Sequence, residues 1–215
     1  MDKKAKSRNW NESELADTFN LTSLLDISPL LKDWLNIEPI TQIEQEAYFD
    51  KLHLRLRKNF AYWNEQELEL FFIAPLISTF VDYDSPHFLV YSEREISATV
   101  EGVFLKTEAD LLLAKGKGEV LKVPYFCFHE YKRTKKASSD PVAQVLEAML
   151  IAQEMNKNGK PIYGAYVIGK DWYFMILEGK EYCISKSYEA TVKSELLEII
   201  AILRKFRVIL ETTLI

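Results

Sequence analysis

Between residues 88 and 133 the chain passes through three strand-like apolar runs, 88–97, 103–114 and 122–133. The breaks between them are short and carry Glu101-Gly102 and Lys115-Gly116-Lys117-Gly118. Connections this short leave no room for a crossover, so consecutive runs are expected to lie side by side and antiparallel. Residues 138–158 follow with helical periodicity, Pro141 near the first turn and Asn158-Gly159 as a stop. A helix of that length permits a crossover to a further strand of the same sheet. Two more strand-like runs, 161–169 and 172–178, and a final helical stretch, 187–211, complete the chain.

Ahead of the strands, residues 65–80 read as a helix with Leu68, Phe71, Phe72, Pro75, Leu76 and Phe80 on its apolar face. Asn64 is placed to cap it. From residue 12 to 36 leucines recur at helical spacing, and Pro29 divides that stretch into two short helices. Thr41, with Glu44 at the capping-box position, is expected to open a third helix reaching Phe60. The expected organisation is a helical N-terminal layer, 1–62, and an α/β core, 63–215, built on a mixed sheet with helices on both faces.

The chain has 215 residues, 48% of them hydrophobic, which is enough for a sizeable core. Its net charge of -5 implies no whole-surface attraction to nucleic acid, so binding of that kind requires a local basic patch. Cys127 and Cys183 have no metal-ligand spacing and read as buried thiols of a reducing compartment. His53, His87 and His129 make neither a triad nor a zinc spacing. With no signal-peptide pattern and no apolar run of about 18 residues, a soluble cytoplasmic protein without a membrane span is expected.

The third strand-like run ends Phe-His-Glu-Tyr-Lys-Arg, with Glu130 and Lys132 two residues apart. In a regular strand, such residues share a face. Asp110 lies on the preceding run, so a hairpin gathers two acids and a lysine. Two neighbouring carboxylates repel and each favours a bound cation. A hard divalent ion takes oxygen ligands and lowers the pKa of bound water. A second Glu-x-Lys, Glu178-Gly179-Lys180, sits at a turn with no acid-bearing hairpin before it and reads as a solvated turn.

Asp110 on the second run, Glu130-Tyr131-Lys132 on the third, and the order helix, three-strand meander, helix, strand, strand, helix resemble the PD-(D/E)XK nuclease superfamily. The resemblance covers residues 65–178 and leaves the N-terminal helical extension unexplained. It implies a restriction-endonuclease-like fold and a Mg²⁺- or Mn²⁺-dependent nuclease acting on nucleic acid, DNA in the first instance. A catalytically silent module of that fold, binding nucleic acid or protein, is the alternative. The implied metal ligands are Asp110, Glu130 and the Tyr131 carbonyl, with Lys132 orienting water or stabilising charge at phosphorus. Family members often add a Glu from the first core helix, where Glu65, Glu67 and Glu69 compete and Glu67 is preferred. They also often add a Gln from the following helix, here Gln144. The exonuclease-type continuation Gln-x-x-x-Tyr is broken by Ala148. Arg133, Lys135 and Lys136 follow the catalytic lysine and form a candidate phosphate-binding cluster. A second alternative is a structural or interaction protein whose N-terminal helical layer mediates self-association.

Overall fold

Side-chain caps set the helix starts at Glu12, Pro29 and Glu65 in the first half of the chain. The computed structural model describes residues 9–117, 120–132 and 140–214, with the backbone alone at 117, 120, 124–132 and 214. Helix α1 (Glu12–Phe19) opens on a capping box between Asn11 and Glu14 and closes on Asn20 in the left-handed region. A two-residue strand, β1 (Thr22–Ser23), follows, and then α2 (Pro29–Leu35), with Ser28 as cap and Pro29 in its first turn. The third helix, α3 (Glu46–Asn59), begins later than expected. Thr41 lies in a bend, and Gln45 enters the helix left-handed with no side-chain cap.

The helix expected over 65–80 has its Asn64 cap. Asn64 accepts from the Glu67 amide, and the Glu67 carboxylate accepts from the Asn64 amide, each at 2.8 Å. Only α4 (Glu65–Leu68) and α5 (Ala74–Leu76) are α-helical, however. Residues Glu69–Ile73 and Ile77–Val81 are π-helical. Pro75 has no N–H to donate to the carbonyl four residues back, so the ladder is interrupted at this point.

Among the described residues the sheet has eight strands: β1, β2 (Leu89–Val100), β3 (Val103–Lys117), β4 (Val120–Lys132), β5 (Ile162–Ile168), β6 (Asp171–Glu178), β7 (Glu181–Ile184) and β8 (Tyr188–Glu189). Their order is β1-β7-β6-β5-β4-β3-β2, with β8 also pairing β6. The β2-β3-β4 meander is antiparallel as expected, and β4 pairs β5 in parallel through the crossover helix α6 (Pro141–Asn156). The molecule is a mixed α/β structure. Helix α7 (Lys193–Ile209) starts later than the sequence implies, because Tyr188 and Glu189 pair with Trp172 and Asp171. The Glu178-Gly179-Lys180 copy of the motif forms the β6–β7 turn, where Lys180 pairs with Glu101 and donates to the Phe19 carbonyl.

Two cores flank the sheet. On one side α6 packs with Trp10, Leu15 and Phe19 against Leu105, Ala109 and Leu112. On the other, α2, α3, the 65–81 helical run and α7 cover Leu113, Tyr163 and Phe174. Helix α6 is therefore buried along most of its length instead of showing one apolar stripe, since α1 covers the side away from the sheet. The first sixty residues contribute to both cores. Trp34 is fully buried, has Tyr163 and Phe174 edge-on at 5.2 Å, and donates to the Ile202 carbonyl at 2.9 Å.

Candidate active site

Three adjacent strands lose their regularity at one level of the sheet. On β2 the buried positions run Tyr91, then Ile96 and Val100, changing parity between them. On β3 they run Leu105 and Ala109, then Leu112 and Ala114, all facing the same core. The β2–β3 ladder pairs Ser92 with Leu111 and Arg94 with Ala109, omitting Glu93 opposite Asp110. Glu93 has φ 49°, a left-handed conformation that costs a β-carbon-bearing residue about 1 kcal/mol. On β4, His129 pairs with Tyr166 and Tyr131 with Val167, so Glu130 is the extra residue of a bulge against β5. At this level of the sheet the irregularities coincide with acids, Glu93, Asp110 and Glu130, whereas the two register shifts further along the β3–β4 ladder, at Leu113/Ala114 and Lys115/Gly116, do not.

The β3–β4 ladder ends at Leu111↔Phe128. Asp110 lies one residue beyond that pair and Glu130 two residues beyond it on the neighbouring strand. Lys132 is the last residue of β4 and pairs with Ile168. The side chains of Glu130, Tyr131 and Lys132 lie outside the described ones. The same-face expectation for Glu130 and Lys132 assumed an unbroken pleat, and the bulge interrupts that pleat at Glu130.

Asp110 is half-buried. The acid of the first core helix whose charge is coupled to it is Glu69, in the π-helical turn. Partial burial, followed by the charges of Asp110 and Glu93, raises the Glu69 carboxyl above its usual range. Glu67 instead serves as the reciprocal partner of Asn64, and Glu65 is exposed in the same first turn. Sequence periodicity could not separate these acids, because a π-helical turn does not follow the 3.6-residue repeat. The signal for Glu93 was present as the parity change from Tyr91 to Ile96.

Gln144 lies half-buried in the first turns of α6. Asp140 caps that helix and accepts from the Val142 and Ala143 amides at 3.1 and 3.3 Å. It also accepts from the Glu12 amide at 2.9 Å, which ties α1 to the start of α6. Ala148 is fully buried. One turn beyond Gln144, Glu147 is buried at 6% exposure. Burial pushes its carboxyl up to about 7 against bonds from the Lys106 backbone and the Trp10 side chain. Nothing in the sequence sets Asp140 or Glu147 apart.

Arg133, Lys135 and Lys136 lie outside the described residues. The basic run on α7 is used internally. Arg204 donates to the Phe80 carbonyl at 2.6 Å, Lys205 to the Asn36 carbonyl at 2.9 Å, and Arg207 to the Asp84 carbonyl at 3.1 Å. On α3, by contrast, Lys51, Arg55, Arg57 and Lys58 are exposed. Lys51, Arg55 and Lys58 follow i, i+4, i+7 spacing, which places them on one helical face.

The donor set at this level of the sheet is carboxylate oxygen, as a hard divalent cation requires. The like-charge coupling among Glu69, Asp110 and Glu93 is the kind of crowding that a cation relieves. Among the described residues, no three His, Cys, Asp or Glu side chains are grouped closely enough to hold a metal ion, and the Glu130 side chain is not one of these. No helix among the described residues is long and apolar enough to cross a membrane. Neither a protein-family model nor a curated protein sequence matches the chain.

Proposed function

We propose that this protein is a metal-dependent nuclease of the PD-(D/E)XK type, with a restriction-endonuclease-like core, hydrolysing phosphodiester bonds in nucleic acid, DNA in the first instance. The observation that carries the reading is the coincident break of three neighbouring strands at Glu93, Asp110 and Glu130. Bulges and left-handed residues cost stability and concentrate where a site must be shaped.

In this reading Asp110, Glu130 and the Tyr131 carbonyl hold Mg²⁺ or Mn²⁺. The bound cation supplies a water of lowered pKa and neutralises charge on a phosphate oxygen. Lys132 orients the attacking water or meets charge developing at phosphorus. Glu69, coupled to Asp110, replaces Glu67 as the helix acid that supports the ligand set. Gln144 positions water or phosphate. Arg133, Lys135 and Lys136, together with the exposed α3 stripe, contact the phosphate backbone.

The test is cleavage of single-strand, duplex and branched DNA with Mg²⁺ or Mn²⁺, by wild type and by the Asp110→Ala and Lys132→Ala variants. Metal-dependent cleavage lost in both variants is expected. Equal activity in all three proteins defeats the proposal, and DNA binding without cleavage makes the chain a silent module of the same fold.

A further inference from the structure

A half-open cleft of about 500 Å³ lies between the 69–78 helical segment and the start of β2. Its volume falls within the roughly 300–1,000 Å³ of small-molecule sites. Ile73, Ile77, Phe88 and Leu111 supply apolar wall, and Glu69 and Ser92 adjoin the acid cluster. Leu111 and Ser92 are the residues next to Asp110 and Glu93 in sequence and form a cross-strand pair. The cleft therefore continues directly from the level of the candidate metal ligands.

Polarity decides which part of a nucleotide can enter. Glu69, Asp82 and Asp84 are three acidic residues among those lining the cleft, so its local charge disfavours a phosphate inside. An uncharged base is not disfavoured, and its amino groups find carboxylate and serine acceptors. Arg207 beside Asp82, at 3.7 Å, offsets part of that charge. A base stacked within a duplex cannot reach such a cleft, whereas a base of a single strand can. We infer that this cleft receives a base of single-stranded nucleic acid whose adjoining phosphate lies over Asp110. The inference rests on the nuclease reading for the phosphate's position, and it names the substrate as a single strand or splayed end.

Ala74 and Ser78 are exposed at the cleft, so a tryptophan at either position fills it without entering the core. The experiment titrates the full chain, with Ca²⁺ present, against short oligo(dC) and against an abasic strand of equal length and charge. Wild type should prefer oligo(dC) about tenfold. Ala74→Trp and Ser78→Trp should lose that preference while binding the abasic strand as wild type does, with unchanged circular dichroism. Equal binding of the two strands by wild type, no binding of either, or a preference surviving both plugs overturns the inference. Mg²⁺-dependent cleavage measured alongside separates the two ideas. Base preference without cleavage defeats the nuclease reading alone, and cleavage without base preference defeats the cleft alone.

Discussion

Glu67 and Glu69 belong to one helical segment and have different roles. Glu67 closes the capping box with Asn64, so Glu67→Ala should lower unfolding free energy by about 1 kcal/mol and leave cleavage intact. Glu69→Gln should instead reduce cleavage by about tenfold or more with little change in stability. Urea denaturation and initial rates distinguish the pair, and a reversed pattern would return the supporting role to Glu67. Glu147 offers a separate test by pH. Its folded pKa, about 7, lies above the ordinary value of 4.5. The folded state therefore holds a proton that the unfolded state has lost between those values, and stability falls as pH rises from 4.5 to 7. Glu147→Gln should flatten that profile and gain about 2 kcal/mol over wild type at pH 8. A variant as pH-sensitive as wild type would contradict the assignment. Asp110 was identifiable from the sequence because it falls on a strand beside a Glu-x-Lys strand. Glu147 was hidden because its neighbours Trp10 and Lys106 are remote in sequence.

At the scale of elements, short turns made the meander legible, and helical periodicity between Pro141 and Asn158-Gly159 made the crossover helix legible. Periodicity failed where the backbone leaves its repeat. The π-helical turn around Glu69 and the bulge at Glu130 each shift the phase by one residue, which no fixed-period reading detects. The β2–β3 irregularity makes a direct prediction. Glycine tolerates φ 49° at position 93 without a β-carbon clash, and removing the acid relieves its repulsion of Glu69. Glu93→Gly should raise stability by about 1 kcal/mol in urea denaturation. A loss of comparable size would mean that Glu93 makes a structural contact stronger than the strain it bears.

At the scale of the molecule, the N-terminal sixty residues read from sequence as a helical layer, because their helices are short and precede the strands. Their partners are too distant in the chain for local pattern to reveal. Trp10 and Phe19 join one core, Trp34 and Phe49 the other, and Thr22-Ser23 adds a strand beside β7. Residues 63–215 alone should lack a cooperative thermal transition, since burying even one such tryptophan is worth about 3–5 kcal/mol. A fragment melting like the full chain would mean that residues 1–62 contribute little to either core. On the proposed reading, Asp110 and Glu130, in the sheet between those cores, would hold one divalent cation jointly. Calorimetric titration with Mn²⁺ tests it most directly. Wild type should show a saturable site that Asp110→Asn weakens by about tenfold or more; the same affinity and stoichiometry in both proteins would contradict the account.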